Sequence, residues 1–152
     1  MSKKRILFFG ETYRADAITW MNGLREFGDF EIVTWELKTS NNGFNRIIRL
    51  FELAKAILTI KSIVKKFNPD MVIAERTTSY GYLAAISGLK PMAIAQQGIT
   101  DLWPLNSPLY ILKKRLQNYA FKKADLIHAW GNSMAEHMKE SNVDMDKVMI
   151  LP

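Results

Sequence analysis

Six short apolar runs recur along the chain, with helix-forming segments between them. They read "RILFFG", "FEIVTWEL", "MVIAE", "PMAIAQQG", "DLIHAW" and "KVMIL". Runs that are apolar at nearly every position suit strands buried on both faces, as parallel strands between two helical layers are. Strands alternating with helices imply βαβ units. The expected fold is therefore α/β: a Rossmann-like three-layer sandwich with a mostly parallel sheet. The length, 152 residues, fits one domain over 1–152. No repeat, low-complexity stretch or internal boundary divides it.

The helical segments follow from periodicity and punctuation. "ADAITWMNGLREF" (15–27) places Ile18, Met21 and Leu24 on one face, and Gly28 stops it. After the polar turn "KTSNNG" a long helix is expected over 44–67. Its apolar side reads Ile47, Phe51, Ala54, Leu58 and Val64, with the charges opposite. Pro69 ends it. A loop "RTTS" precedes a short helix "YGYLAAIS" that stops at Gly88. Ser107-Pro108 supplies a cap and a first-turn proline for a helix over 109–123. The last helix is "NSMAEHMKES".

Charge and composition exclude several classes. Cysteine is absent, so there is neither a disulfide framework nor a thiolate metal site, which suits a reducing compartment. The apolar part of the start, 6–9, is too short for a signal core, and no stretch approaches the length of a membrane span. The net charge is +6 and unevenly placed. Residues 46–66 hold Arg46, Arg49, Lys55, Lys61, Lys65 and Lys66 against Glu52 alone. Residues 113–123 hold Lys113, Lys114, Arg115, Lys122 and Lys123 with no acid. Such stripes attract anionic lipid or phosphate-bearing substrates, and they are also what a solvated helix face looks like. The cations are not interleaved with exposed aromatics and no nucleic-acid motif appears, so no nucleic-acid partner is expected.

In a parallel sheet, ligands bind beyond the carboxyl ends of the strands. The first such loop is Gly10-Glu11-Thr12-Tyr13-Arg14, where glycine permits a tight turn and a helix start offers N–H groups to an anion. A plain strand-to-helix turn would read the same way. Neither G-x-G-x-x-G nor G-x-x-x-x-G-K-[ST] occurs, which argues against a dinucleotide or P-loop site. The third strand ends in Glu75-Arg76-Thr77-Thr78-Ser79, and the fourth in Gln96-Gln97-Gly98-Ile99-Thr100-Asp101. Two glutamines at a buried strand end need amide partners there, and Gly98 permits close approach of a ligand. Asn132 and Ser133 follow the fifth strand, where helix capping alone would explain them. His128 and His137 have no second ligand at metal spacing and read as structural; neither a metal nor a cofactor is expected.

The segment "KKADLIHAWGNSMAEHMKESNVDMDKVMILP" resembles the end of the N-terminal domain of GT-B glycosyltransferases of the family-4 type. There a basic helix end, Ala-Asp, an apolar strand, a helix and "K-[IV]-x-[VIL]-[IL]-P-N-G" follow one another. Ala124-Asp125, 126–129 and 147–152 take these places. "KRILFFGE", "NPDMVIAE" and "KPMAIAQQGITD" extend the likeness upstream. Two positions depart from it: Gln97 where relatives often have His, and Gly131 where they often have Ser or Thr. The resemblance implies a GT-B N-terminal lobe with Pro152 at the boundary between lobes. A C-terminal nucleotide-sugar-binding domain would then be absent from this chain, and 1–152 alone would be inactive.

The function so implied is an acceptor-binding lobe of a glycosyltransferase of hexosyltransferase type. It would pass a sugar from a nucleotide-sugar to a glycan or lipid-linked acceptor in polysaccharide biosynthesis. Gly10, Glu11, Thr12, Arg14, Arg76, Gln97, Gly98, Asp101, Asn132 and Ser133 would touch the acceptor or the donor phosphates. Inversion needs a general base, for which Asp101, Glu75 and Glu11 are the candidates, since the Gln97 amide does not titrate. Retention needs less of this lobe, because the departing phosphate can take the proton, and retention is expected. Relatives acting on lipid-linked acceptors dock on the inner membrane leaflet, which would give 44–67 and 109–123 a peripheral-membrane role in the cytoplasm. The alternatives are a stand-alone α/β ligand-binding module and a lobe of a nucleotide-sugar epimerase.

Overall fold

The computed structural model describes residues 3–39, 45–96 and 108–151. Six strands alternate with helices: β1 Lys4–Phe9, α1 Ala15–Phe27, β2 Phe30–Trp35, α2 Asn45–Phe67 and β3 Met71–Glu75. There follow a π-helical turn Arg76–Gly81, α3 Tyr82–Ser87, β4 Met92–Gln96, α4 Tyr110–Lys123, β5 Leu126–Trp130, α5 Asn132–Glu140, a 3-10 turn Met145–Lys147 and β6 Val148–Leu151. All pairings are parallel, in the order β2-β1-β3-β4-β5-β6. The expected α/β sandwich is thus present, and the sheet is wholly parallel.

Alternation along the strands feeds two cores. Leu7, Phe9, Val72, Ala74, Met92, Ile94, Ile127 and Ala129 face the side covered by α2, α3, α4 and α5. Ile6, Phe8 and Ile73 face α1 through Ala17 and Met21. β1 and β3 are therefore apolar on both faces, which explains their continuous runs in the sequence, while β5 carries the buried His128 on its second face. Gly88 stops α3 in the left-handed conformation (φ 76°), as its position promised.

Four local expectations are corrected. On α1 the inward face is Ala17, Trp20, Met21 and Leu24, while Ile18 points out. On α2 the buried line is Leu53, Ala56, Ile60, Ile63, Val64 and Phe67. The other line faces solvent, with Ile47 55%, Phe51 73% and Leu58 85% exposed. The helix carries two apolar stripes, and the one with Ala56 and Ile60 at its centre packs into the core. Third, residues 76–79 form the π-helical turn leading into α3, where a loop was expected. The helix-capping reading of Asn132 and Ser133 also fails: both are exposed in the first turn of α5, and Gly131 takes the cap position (φ 96°).

Candidate functional site

The chain runs from β1 outwards to β2, then crosses back over β1 to β3 and continues the other way. The direction of winding thus reverses between β1 and β3, and the carboxyl ends of these two strands flank the crevice such a switch creates. Gly10 and Glu11 follow β1; Glu75 ends β3 and Arg76 follows it.

Glu11 is buried at the centre of this crevice. Its Oε2 accepts from Arg14 Nε at 2.6 Å and from Arg76 Nη2 at 3.5 Å, and its Oε1 accepts from Arg49 Nη2 at 2.6 Å. Burial alone would raise the Glu11 carboxyl, but Arg76, Arg49 and Arg14 outweigh it and hold the group below the usual carboxylate range. Arg49 is 12% exposed and also gives Nη1 to the Thr39 carbonyl. Arg76 takes a positive φ of 68°, uncommon outside glycine, at the head of the π-helical turn. That conformation lets it reach Glu11, although it follows directly on Glu75 in the chain. Strained backbone and a π-turn beside an ion cluster are features that gather at functional sites.

Glu75 is fully buried, and its Oε2 accepts the Glu11 backbone N–H at 2.9 Å. Its Oε1 has no hydrogen-bond partner among the described residues, with Arg76 Nε 3.9 Å away. Burial raises the Glu75 carboxyl above its ordinary range, against the opposing pull of the Glu11 N–H and Arg76. Gly10 passes so close that a Cβ there would meet Glu75 Oε2 at 2.6 Å. Thr12 gives its N–H and its hydroxyl to Glu36, at 2.8 and 3.1 Å. Further along the rim, Thr77 Oγ1 donates to the buried Gln96 at 3.0 Å, so one glutamine of the pair is engaged inside the protein.

Of the residues singled out in the sequence, Gly10, Glu11, Arg14, Glu75 and Arg76 come together, with Thr12 beside them. Asn132 and Ser133 stand apart on α5, and Gln97, Gly98 and Asp101 lie outside the described residues. Arg49 was missed: it sits 38 positions from Glu11, on a helix read as turning its charges to solvent. His128 is buried edge-on between Trp20 and Trp130, with ring centroids 5.0 and 5.8 Å away, in keeping with a structural role. An apolar cavity of about 330 Å³ beside it, between α1 and β5, contains none of the cluster residues.

The six-stranded, all-parallel, Rossmann-like sheet is the architecture of a GT-B N-terminal lobe, with an ionic cluster at its switch point. Residues 5–130 match the model of the family described as glycosyl transferase 4-like, and the chain belongs to that family. Among solved structures the fold is similar to that of the Staphylococcus aureus MnaA–UDP co-structure, with a TM-score of 0.67 at 14% identity over 97% of this chain and 43% of that one. The Neisseria meningitidis UDP-GlcNAc 2-epimerase bound to UDP-GlcNAc gives 0.66 at 12% over 98% and 45%. The Methanocaldococcus jannaschii UDP-GlcNAc 2-epimerase gives 0.60 at 11% over 98% and 45%. The chain thus spans less than half the length of these structures. No curated protein matches it.

Proposed function

We propose that this chain is the acceptor-binding lobe of a hexosyltransferase and works opposite a second lobe that holds the nucleotide-sugar. The observation that carries the reading is the polar cluster at the β1/β3 switch point in a chain of this family. The acceptor is a glycan or a lipid-linked sugar, and the work is polysaccharide assembly at the cytoplasmic face of a membrane. The bond from the sugar's anomeric carbon to the diphosphate breaks, and a bond to the acceptor oxygen forms on the same face. The acceptor's proton leaves with the diphosphate.

The state of the two described carboxyl groups supports retention. Glu11 is engaged by three guanidinium groups, and Glu75 is fully buried with one oxygen taking the Glu11 N–H. Neither carboxyl group is open to an acceptor hydroxyl, as the general base of an inverting transfer must be. Full-length protein incubated with a panel of nucleotide-sugars and sugar acceptors is expected to release nucleoside diphosphate and to give a product of unchanged anomeric configuration by NMR. An inverted product refutes retention. A nucleotide-sugar epimerised with no transfer selects the epimerase reading, which the fold likeness supports. Transfer by 1–152 alone would refute the need for a second lobe.

The membrane partner is supported by the outward stripe of α2. Ile47, Phe51 and Leu58 face solvent along the same helix as Lys55, Lys61, Lys65 and Lys66. On α4, Ile111 and Leu112 are exposed beside Lys114 and Arg115. Apolar residues flanked by cations suit a helix lying in the interface of an anionic bilayer. Among the described residues no helix is long and apolar enough to cross one. A Phe51→Ser/Leu58→Ser variant should keep the thermal midpoint, since both side chains are exposed, and lose about tenfold in binding to phosphatidylglycerol vesicles. Equal co-sedimentation of variant and parent would remove the membrane from the proposal.

A further inference from the structure

On β5 the side chains of His128 and Trp130 point to the side of the sheet that α1 covers. α1 borders them with Trp20, Gly23 and Phe27, which share one helical stripe. The two elements do not close on each other, and the apolar cavity of about 330 Å³ between them is of the size that small ligands fill. His128 stands between the indoles, its ring at 83° to Trp20 and 81° to Trp130. The imidazole is buried, yet Trp130 is 45% exposed and Phe27, at the mouth, 88%. Gly23 leaves the helix wall bare. A Cβ there would meet nothing within 4 Å, so packing does not demand glycine at a position where it weakens the helix. Any larger side chain would take up the open space.

The lining decides what can enter. Thr19 Oγ1 already donates to the Ala15 carbonyl, and no carboxylate, ammonium or guanidinium borders the cavity among the described residues. A phosphate or carboxylate therefore has no charged partner there. A lipid tail is disfavoured too, because the exposed apolar residues of α2 and α4 belong to the layer on the other side of the sheet. What indole faces hold is a flat patch of C–H groups, drawn to the negative face of the ring. A pyranose ring offers such a patch and keeps its hydroxyl groups for water at the open mouth. Trp130 is also the last residue of β5, two strand spacings or about 10 Å from β3. A sugar on the indoles thus lies within reach of the crevice, at a separation that a chain of sugars spans and a single one does not.

We propose that the cavity between α1 and β5 is a sugar-binding subsite, in which Trp20 and Trp130 stack on the C–H face of a pyranose ring. The inference deepens the transferase reading: it makes the acceptor a glycan of two or more sugars, one on the indoles while another sits at the β1/β3 switch point. It rests on that reading for the sugar that reacts.

The test is titration of the full-length protein with cellobiose, chitobiose and maltose, read by calorimetry and by tryptophan fluorescence, with sorbitol as a control that has hydroxyl groups and no ring. At least one disaccharide is expected to bind and to shift the emission, and sorbitol to do neither. Trp130→Ala and Gly23→Leu should each weaken that binding about tenfold at an unchanged thermal midpoint, and Trp130→Phe should retain part of it. Gly23→Leu fills the cavity and leaves both indoles in place, so its loss reports the space itself. Absence of binding by all three disaccharides, equal binding by either variant, or sorbitol binding of the same strength overturns the subsite. So does a full-length protein in which acrylamide cannot reach Trp130, read as the difference in quenching from Trp130→Phe, since other chain then covers the face. Disaccharide binding that Gly23→Leu removes, with no sugar transfer from any donor, keeps the subsite and sinks the transferase reading. Transfer in which Trp130→Ala leaves the ratio of KM between monosaccharide and disaccharide acceptors unmoved keeps the transferase and overturns the subsite.

Discussion

Glu11→Ala should cost about 3 kcal/mol of stability, the size of effect seen when one partner of a buried ion cluster is removed. The damage comes from what remains: Arg49 and Arg76, largely buried, lose the carboxylate that neutralises them. The figure sits at the low end of the range because Arg14 is exposed enough to turn into water. The pH dependence carries the same signature. Glu11 has a folded pKa below its unfolded one, so its contribution is complete above the unfolded carboxylate range and disappears as pH falls through the lower folded value. Glu75 has the opposite shift. Its contribution is complete below the unfolded range and is lost as pH rises through the higher folded value. Urea unfolding between about pH 3 and pH 8 should therefore show an acid-side loss that Glu11→Gln flattens. An acid limb identical in Glu11→Gln and parent would show that Glu11 is not the group responsible.

Gly10→Ala should cost about 2 kcal/mol, through space rather than backbone conformation. The new Cβ would lie 2.6 Å from Glu75 Oε2, 2.7 Å from Phe8 Cε1 and 2.9 Å from Glu75 Cβ. Both neighbours are fully buried and have no room to yield. Displacing Glu75 would also free the Glu11 N–H and loosen the turn that presents Arg14. Gly23→Ala is the matched control: it lies within α1, a Cβ there meets nothing within 4 Å, and helix propensity should make it neutral or slightly stabilising. Equal melting of Gly10→Ala and the parent would refute the close contact at β1.

The layer plan was legible in the sequence because strands buried on both faces leave unbroken apolar runs, and Gly28, Pro69 and Gly88 mark the ends of elements. Gly10, Glu11, Arg14, Glu75 and Arg76 could be found because a parallel sheet sends every strand's carboxyl end to one rim. Arg49 could not: its partner is remote in sequence, and nothing local marks a helical arginine as buried. The inward face of α2 was ambiguous for a physical reason. Ile47, Phe51, Ala54 and Leu58 keep helical spacing as well as Leu53, Ala56, Ile60 and Ile63 do, and only the sheet chooses between them. The π-turn left no trace, since its left-handed first residue is an arginine, a type with little local preference for that conformation.

The anchors of Glu11 come from positions 14, 49 and 76, in three separate stretches of the polypeptide. The knot of charge therefore cannot form until the N-terminal half has threaded into its final order, with the third strand docked beside the first. Closing so wide a span costs conformational entropy before its contacts exist, so these bonds are expected to form after the local turns and helices. A nascent polypeptide halted before position 76 would hold Glu11 without its full set of counterions. An intact cluster is thus a marker that this half of the domain has reached its native topology.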